Sequence, residues 1–290
     1  MKKLTLIKRS TDRHWVGDGF PVRNIFSYRD LAPELSPFLL MDYAGPTEFP
    51  ATNKRLGVGE HPHRGFETVT IVYDGEAEHR DSSGGGGIIG PGDVQWMTAG
   101  SGIVHEEFHG PNYRRTGGPF EVIQLWVNLA AKDKWSKPGY QGITAAQIPS
   151  ADLPGGAGYL RVIAGSYNGT SGPAHTFSPM NVWDVRLKAA KTVTFDIPDG
   201  DTTALFVLKG VARSGDGQPI GAAELALFER AGDSITIEAV EDTTLLLLSG
   251  KPINEPIVGH GPFVMNSQDE IRQALSDYQS GKMGHLTAQT

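Results

Sequence analysis

Residues 61–70 read His-Pro-His-Arg-Gly-Phe-Glu-Thr-Val-Thr, and residues 92–107 read Gly-Asp-Val-Gln-Trp-Met-Thr-Ala-Gly-Ser-Gly-Ile-Val-His-Glu-Glu. Side chains of a β-strand alternate between its two faces, so His61 and His63 share one face, and His105 and Glu107 share another. Two such pairs brought together inside a barrel give three imidazoles and one carboxylate. The stretch therefore predicts a β-barrel that holds a metal ion.

The types of ligand narrow the choice of ion. Imidazole suits zinc, copper, iron and nickel, whereas magnesium and calcium sites are built from oxygen. Closed structural zinc sites favour Cys, and this chain contains no Cys. Three imidazoles and one carboxylate indicate an open iron-type centre. We expect one divalent transition metal, Fe(II) first, with Mn, Ni, Co, Cu or Zn as alternatives.

Two other side chains compete with Glu107 for the fourth position. Glu67 lies four residues after His63 and keeps the parity of a strand, and His109 is a weaker candidate. Glu106 has the wrong parity relative to His105. Alternation alone leaves the choice between Glu67 and Glu107 open.

Several of these motifs together resemble the pirin family of the cupin superfamily. They are the His-Pro-His-Arg-Gly-Phe-Glu-Thr block, the run Gln-Trp-Met-Thr-Ala-Gly and the ending His-Glu-Glu, with further matches at residues 37–42, 124–129 and 259–266. The resemblance implies an all-β bicupin fold, with two β-barrels of the double-stranded β-helix type and a short C-terminal helix. It also implies four metal ligands, His61, His63, His105 and Glu107, which favours Glu107 over Glu67.

The resemblance implies two alternative functions. Some pirins are similar to quercetin 2,3-dioxygenase in activity, which implies ring opening of a flavonol. We add the hypothesis that Glu107 releases the metal in this reaction and acts as general base towards the flavonol hydroxyl. Other pirins are metal- or redox-sensing regulators that bind transcription factors or metabolic enzymes, which implies a protein partner and no catalysis. In the dioxygenase, Arg64 and Glu67 are candidates for orienting the ligating imidazoles, with a surface salt bridge as the alternative interpretation.

The composition indicates which binding partners and which cellular compartment to expect. Of the 290 residues 39% are hydrophobic and 20% charged, which is typical of a globular protein, and the net charge is -7 without a long basic run. We therefore expect no direct binding of nucleic acid. The absence of Cys, of a signal-peptide core and of a membrane-length apolar stretch predicts a cytoplasmic protein that does not enter the membrane, and we expect a monomer.

The second half of the chain repeats the strand pattern of the first half. Residues 203–208 before Lys-Gly correspond to residues 68–73 before Asp-Gly, which predicts a duplicated barrel. We predict a metal-binding cupin barrel at residues 1–135, a linker at 136–158 and a metal-free barrel with a C-terminal helix at 159–290. His175 and His260 are isolated and are not expected to bind metal. Trp126 is predicted to lie in the core.

Residues 267–279 predict the C-terminal helix. Ser267 and Glu270 have the spacing of a capping box, and Ile271, Leu275 and Tyr278 form a narrow apolar stripe. We expect the stripe to pack on a barrel.

Overall fold

The structure is a computed structural model that describes residues 1–286. Runs rich in β-branched and aromatic residues form its strands, as their preference for a pleated surface predicts. In chain order the strands are β1 Leu4–Arg9, β2 Arg13–Val16, β3 Phe20–Phe26, β4 Phe38–Phe49, β5 Gly57–His63, β6 Phe66–Asp74, β7 Ala77–Asp81, β8 Gly86–Ile89, β9 Val94–Thr98, β10 Ile103–His109, β11 Gly118–Asn128, β12 Gly139–Ile143, β13 Ser150–Asp152, β14 Gly158–Ala164, β15 Ser166–Tyr167, β16 Thr170–Ser171, β17 Met180–Leu187, β18 Lys191–Asp196, β19 Thr202–Lys209, β20 Ala212–Ser214, β21 Pro219–Ile220, β22 Glu224–Phe228, β23 Ser234–Ala239, β24 Thr243–Gly250, β25 Val258–His260 and β26 Phe263–Met265.

Short helices interrupt the strands. They are α1 Ala32–Leu35, α2 Pro111–Thr116 and α3 Gln268–Gln279, with single 3-10 turns at Ala145–Gln147 and Pro154–Gly156. Within residues 1–286, none of the helices has both the length and the apolar character that a membrane span requires.

The chain forms two compact units. The first, which we call the histidine unit, comprises Asp12–Pro33, Phe38–Ala145 and the chain from Ile253 onwards. The second unit comprises Met1–Thr11, Glu34–Pro37 and Ala146–Pro252.

The histidine unit is built from two antiparallel sheets. One has the strand order β12-β9-β6-β11-β4-β3-β2 and the other has the order β5-β10-β7-β8. Strand β6 is buried over its first seven residues and lies between β9 and β11 in the seven-stranded sheet. Strands of both sheets line a single cavity, so that cavity lies between the sheets.

The second unit repeats this arrangement. It pairs a seven-stranded sheet, β1-β22-β19-β24-β17-β14-β13, with a four-stranded sheet, β18-β23-β20-β21. Its interior is filled by apolar side chains such as Trp183, Phe195, Leu205, Leu245 and Leu247. The repeated combination of sheets confirms the predicted all-β fold with two barrels.

The boundaries of the units differ from the predicted ones. Strand β1 pairs with β22, so the start of the chain belongs to the second unit rather than to the first barrel. The division between the units falls after Ala145, inside the predicted linker 136–158, but these residues also form strands, because β12 pairs with β9 and β13 pairs with β14. Hydrogen bonding of edge strands, which sequence order does not reveal, decides where these segments belong.

The C-terminal helix α3 also belongs to a different unit from the predicted one. Its buried residues Ile271 and Ala274 pack with Val104, Phe263 and Met265 of the histidine unit. The predicted cap is confirmed, because Oγ of Ser267 accepts a hydrogen bond from the backbone N–H of Glu270 over 3.3 Å. The predicted stripe is correct for Ile271 and Leu275, but Tyr278 is 39% exposed.

Candidate metal centre

The structure brings together three of the predicted ligands. Strands β5 and β10 are antiparallel neighbours, and His105 lies directly opposite His61. The ring centroids are 4.2 Å apart for His61 and His105, 4.8 Å for His63 and His105, and 4.9 Å for His61 and His63. One potential ligand atom from each ring lies within 4.8 Å of the other two. This is a spacing that a single ion could bridge.

Hydrogen bonds leave the Nε2 atoms of these rings available. Nδ1 of His61 lies 2.8 Å from the carbonyl of Gly59, and Nδ1 of His63 lies 3.3 Å from the carbonyl of Pro262. Because a carbonyl only accepts, both rings carry their proton on Nδ1 and keep a lone pair on Nε2. Nε2 of His105 is buried and has no hydrogen-bond partner among the described residues. An orphaned imidazole nitrogen beside two free lone pairs fits a transition metal.

The environment keeps two of the rings neutral. Burial, together with the neighbouring imidazole of His61, holds the pKa of His63 and that of His105 well below the ordinary value. A neutral imidazole is the form that binds a metal, because the ion must take the place of a proton.

Glu107 lies in the same cavity, on the same strand as His105. Its Oε1 accepts hydrogen bonds from Nε2 of Gln95 over 2.5 Å and from Oγ1 of Thr70 over 3.3 Å. Its potential ligand atom clusters within 4.8 Å of those of His79 and His105, so His105 belongs to two overlapping clusters. The carboxylate is therefore adjacent to His105 and His79, it shares the lining of one cavity with His61 and His63, and it is held by hydrogen bonds from Gln95 and Thr70.

His79 and Asp81 also lie at this site, although neither residue was predicted from the sequence. They lie on β7, whose residues pair with β10 so that His79 faces Glu107 and Asp81 faces His105. Nδ1 of His79 lies 3.2 Å from Nδ1 of His105, and Nε2 of His79 lies 3.1 Å from Oδ2 of Asp81. The signal was present, because His79-x-Asp81 has the same spacing as His105-x-Glu107.

Glu67, the competing acid, points away from the cavity. A turn at Gly65 with a φ of +89° separates β5 from β6, and a Cβ there would lie 2.1 Å from the carbonyl oxygen of Val264. The turn breaks the alternation that links Glu67 to His63. Thr70 lines the cavity, so Glu67, three residues earlier, faces the opposite side of the sheet.

The other candidates for the fourth ligand, Glu67, His109 and Glu106, are engaged in contacts that support the fold. Oε1 of Glu67 accepts a hydrogen bond from Thr98 over 2.7 Å, and burial raises the pKa of Glu67 to about 7. His109 lies among aromatic rings 2.8 Å from the carbonyl of Gly19. Glu106 forms ion pairs with Arg80 and Arg55. The exposed His175 and His260 belong to no cluster of potential ligands found in residues 1–286.

Arg64 fixes the chain directly after His63. Its guanidinium is buried and forms an ion pair with Asp277 of α3, with Nη1 2.9 Å from Oδ2. Nε of Arg64 donates to the carbonyl of Ser101 over 2.6 Å. Arg64 therefore connects the end of β5 to the C-terminal helix α3 and to Ser101.

The cavity beside the cluster has a volume of about 330 Å³ and is lined mainly by apolar side chains. Trp126 forms part of its wall, with its ring stacked on Phe66 at 4.3 Å and edge-on to His63 at 5.2 Å. Trp126, which was predicted to lie in the core, is half-buried and lines the cavity. The residues in the lining are Val16, Phe20, Val22, Asp42, Ala44, Val58, His61, His63, Thr70, Ala77, Glu107, Val122, Gln124, Trp126 and Pro262.

Two family models match this chain. The family described as Pirin matches residues 19–127, and the one described as Pirin C-terminal cupin domain matches residues 182–284.

Similar proteins match over nearly the whole length. A Pseudomonas aeruginosa protein named "Putative quercetin 2,3-dioxygenase PA2418" is 56% identical over 282 residues, covering 97% of this chain and 98% of that protein. "Pirin-like protein 2" of Arabidopsis thaliana is 37% identical, covering 92% and 81%. The crystal structure of a quercetin 2,3-dioxygenase from Acinetobacter baumannii superimposes with a TM-score of 0.96 at 50% identity, covering 99% of this chain and 100% of that one.

Proposed function

This chain belongs to the pirin family of cupin proteins, and on that premise we propose that it is a metal-dependent dioxygenase that opens the ring of flavonols such as quercetin. The observation that carries the proposal is the convergence of three imidazoles, one with an orphaned buried Nε2, at the wall of an apolar cavity. The full-length relatives from Pseudomonas and Acinetobacter support the substrate class.

We propose His61, His63, His105 and Glu107 as the ligands of one divalent transition metal, with Fe(II) as the first candidate. Such an ion, when bound, polarises the oxygen atoms of a substrate and makes dioxygen reactive towards it. Glu107 fits this donor set because Gln95 and Thr70 engage Oε1, which leaves Oε2 without a hydrogen bond from any described residue.

The residues of this chain supply a base and an apolar cavity that encloses the substrate. Glu107 would release the metal before it acts as a base, and its Oε2 then accepts the proton of a flavonol hydroxyl, which leaves the substrate oxygen negatively charged. Apolar walls at Val22, Ala44 and Val122 accept flat aromatic rings and exclude water. A cavity of about 330 Å³ is at the lower end of the range for small-molecule sites.

Dioxygen uptake with quercetin tests the proposal. The protein is reconstituted separately with Fe(II), Mn(II), Ni(II), Co(II) or Cu(II), and we expect uptake with matching release of carbon monoxide for at least one metal. His61→Ala should lose this activity, whereas His260→Ala, which changes an exposed imidazole outside the cluster, should keep it. Full loading with metal but no uptake by any form would reject the dioxygenase and favour a regulator without catalysis.

Glu107→Gln tests the role of the carboxylate. The amide is not a base, and the donors Gln95 and Thr70 should hold its oxygen in the place of Oε1. At saturating metal, bound by the three imidazoles, the variant should therefore bind quercetin and lose turnover by about 10²–10⁴-fold. Unchanged turnover in the metal-loaded variant would exclude Glu107 as the base.

A further inference from the structure

We infer that Asp81 and His79 are positioning residues that fix the tautomer of His105, so that Nε2 of His105 offers its lone pair to the metal. The inference rests on the proposed metal centre but does not depend on dioxygenase activity. It follows from an uninterrupted series of hydrogen bonds that ends at the orphaned nitrogen of His105.

The series begins at the carboxylate of Asp81. Oδ2 of Asp81 lies 3.1 Å from Nε2 of His79, and Nδ1 of His79 lies 3.2 Å from Nδ1 of His105. If the carboxylate accepts the Nε2 proton of His79, the Nδ1 of His79 must accept the Nδ1 proton of His105. Nε2 of His105 then carries a lone pair, as a metal ligand requires.

His105 needs this help more than the other two imidazoles do. Backbone carbonyls face Nδ1 of His61 and Nδ1 of His63, and a carbonyl accepts in every case. Nδ1 of His105 faces another imidazole nitrogen, which accepts in one tautomer and donates in the other. The direction of this hydrogen bond is therefore decided one residue further away, by Asp81.

The carboxylate of Asp81 is held in a single orientation. Its Oδ1 accepts hydrogen bonds from the backbone N–H of Ser83 at 2.8 Å, from Oγ of Ser83 at 2.6 Å and from the backbone N–H of Gly85 at 3.0 Å. Burial raises the pKa of Asp81, but the hydrogen bonds from His79 and Ser83 outweigh burial and hold it below the ordinary value. The group is thus an ionised acceptor, and Oδ2 is the atom that faces His79.

The ring of His79 is also fixed from its face. Tyr140 stacks on it with the centroids 5.0 Å apart and the planes 13° from parallel. His79 could itself be a metal ligand, because it forms a cluster with His105 and Glu107. Both of its nitrogens, however, already face partners, Asp81 on one side and His105 on the other, which favours the positioning role.

The tautomers can be observed directly. In the full-length chain labelled with ¹⁵N-histidine and freed of metal by a chelator, long-range ¹H–¹⁵N spectra should show the proton of His105 on Nδ1 and that of His79 on Nε2. In Asp81→Asn the three donors around Oδ1 should hold the amide oxygen in place and turn the NH₂ group towards His79. His79 should then carry its proton on Nδ1 and His105 should carry its proton on Nε2, the opposite of the wild type. The same substitution behind a catalytic histidine also produces the wrong tautomer.

Metal affinity gives a second readout. Asp81→Asn should weaken the binding of Zn(II) and Co(II), measured by competition with a chelator, by about 10–100-fold, the typical effect of losing such a partner. Asp93→Asn is the matched control, because the carboxylate of Asp93 also accepts hydrogen bonds from two backbone N–H groups, those of Gly90 and Ala145, in the same unit. This variant should bind metal as the wild type does. Wild-type tautomers in Asp81→Asn, or unchanged affinity, would overturn the inference.

Two results separate this inference from its alternatives. X-ray absorption of zinc-loaded His79→Gln should count as many imidazole ligands as in the wild type, and the loss of one would make His79 a ligand instead. If the wild type binds no metal, the proposed function fails. The tautomers in the metal-free chain still decide whether Asp81 controls His105.

Discussion

Nε2 of Gln95 donates a hydrogen bond of 2.5 Å to Oε1 of Glu107, and the same amide donates to Oγ1 of Thr70 over 3.0 Å. These contacts belong to a row of polar side chains at one level of the seven-stranded sheet. Thr70 faces Gln95 on one neighbouring strand and Gln124 on the other. Oγ1 of Thr70 lies 2.6 Å from Oε1 of Gln124 and 3.3 Å from Oε1 of Glu107, so these two oxygens share its single proton. The row fixes Glu107 with neutral donors.

We predict that Gln95→Leu weakens metal binding. The substitution keeps most of the volume but removes the donor, so Glu107 loses its shortest hydrogen bond. Metal affinity should fall by about 10–100-fold, as measured by competition with a chelator. Gln268→Ala, at an exposed position on α3, is the control and should bind metal normally. Equal affinity for Gln95→Leu and the wild type would show that Glu107 needs no such support.

The two acids that alternation could not separate should respond differently to replacement by an amide. Glu67→Gln should retain metal affinity because Glu67 faces away from the cavity, whereas Glu107→Gln should lower it. Isothermal titration of both variants with Co(II) provides the measurement. A loss of affinity in Glu67→Gln similar to that in Glu107→Gln would contradict the orientation of β6.

Glu67 should also affect the pH dependence of stability. Burial raises its pKa to about 7, above the value of about 4.3 for an unfolded chain. A group of this kind stabilises the fold below its unfolded pKa and loses that contribution as the pH rises through about 7. The free energy of unfolding of Glu67→Gln relative to the wild type should therefore rise by roughly 2–3 kcal/mol between about pH 5 and about pH 8. Urea titrations at both pH values measure it, and a constant difference would contradict the prediction.

The ion pair of Arg64 with Asp277 should stabilise the histidine unit. Asp277→Asn leaves the buried guanidinium without its counter-charge and should lower the free energy of unfolding by about 3 kcal/mol at neutral pH. Asp269→Asn, at an exposed ion pair on the same helix, should cost less than about 1 kcal/mol. Urea unfolding of both variants makes the comparison.

The cost of Asp277→Asn should depend on pH. Hydrogen bonds from Lys282 and from Arg64 outweigh burial and lower the pKa of Asp277 to about 2. The carboxylate contributes stability above its unfolded pKa of about 3.9 and loses it as the pH falls through about 2. The difference between the wild type and Asp277→Asn should shrink across that window. A difference that stays constant would exclude the ionised carboxylate as its source.

Trp126 should report metal binding by fluorescence. Its ring lies 5.2 Å from that of His63, so a paramagnetic ion such as Cu(II) bound there should quench it. Trp126→Phe should remove most of the quenching at saturating Cu(II), whereas Trp15→Phe, with a side chain that is 58% exposed, should retain it. Full quenching in Trp126→Phe would place the ion away from His63.

The sequence was informative wherever a contact is local. Alternation along a strand put His61 with His63, and the three imidazoles do converge. The cap of α3 depends on residues three apart, and it too was predictable. The repeated strand pattern predicted two barrels, since each barrel arises from the same order of strands and turns.

Long-range pairing decided the rest of the site. The turn at Gly65 reversed the parity on which Glu67 depended, and the pairing of β7 with β10 placed Asp81 and His79 behind His105. Strand β1 and helix α3 joined units distant from them in the sequence. Alternation is a property of one strand and can be read from its residues. The partner of a strand depends on hydrogen bonds and burial between distant segments, and only the tertiary structure shows these.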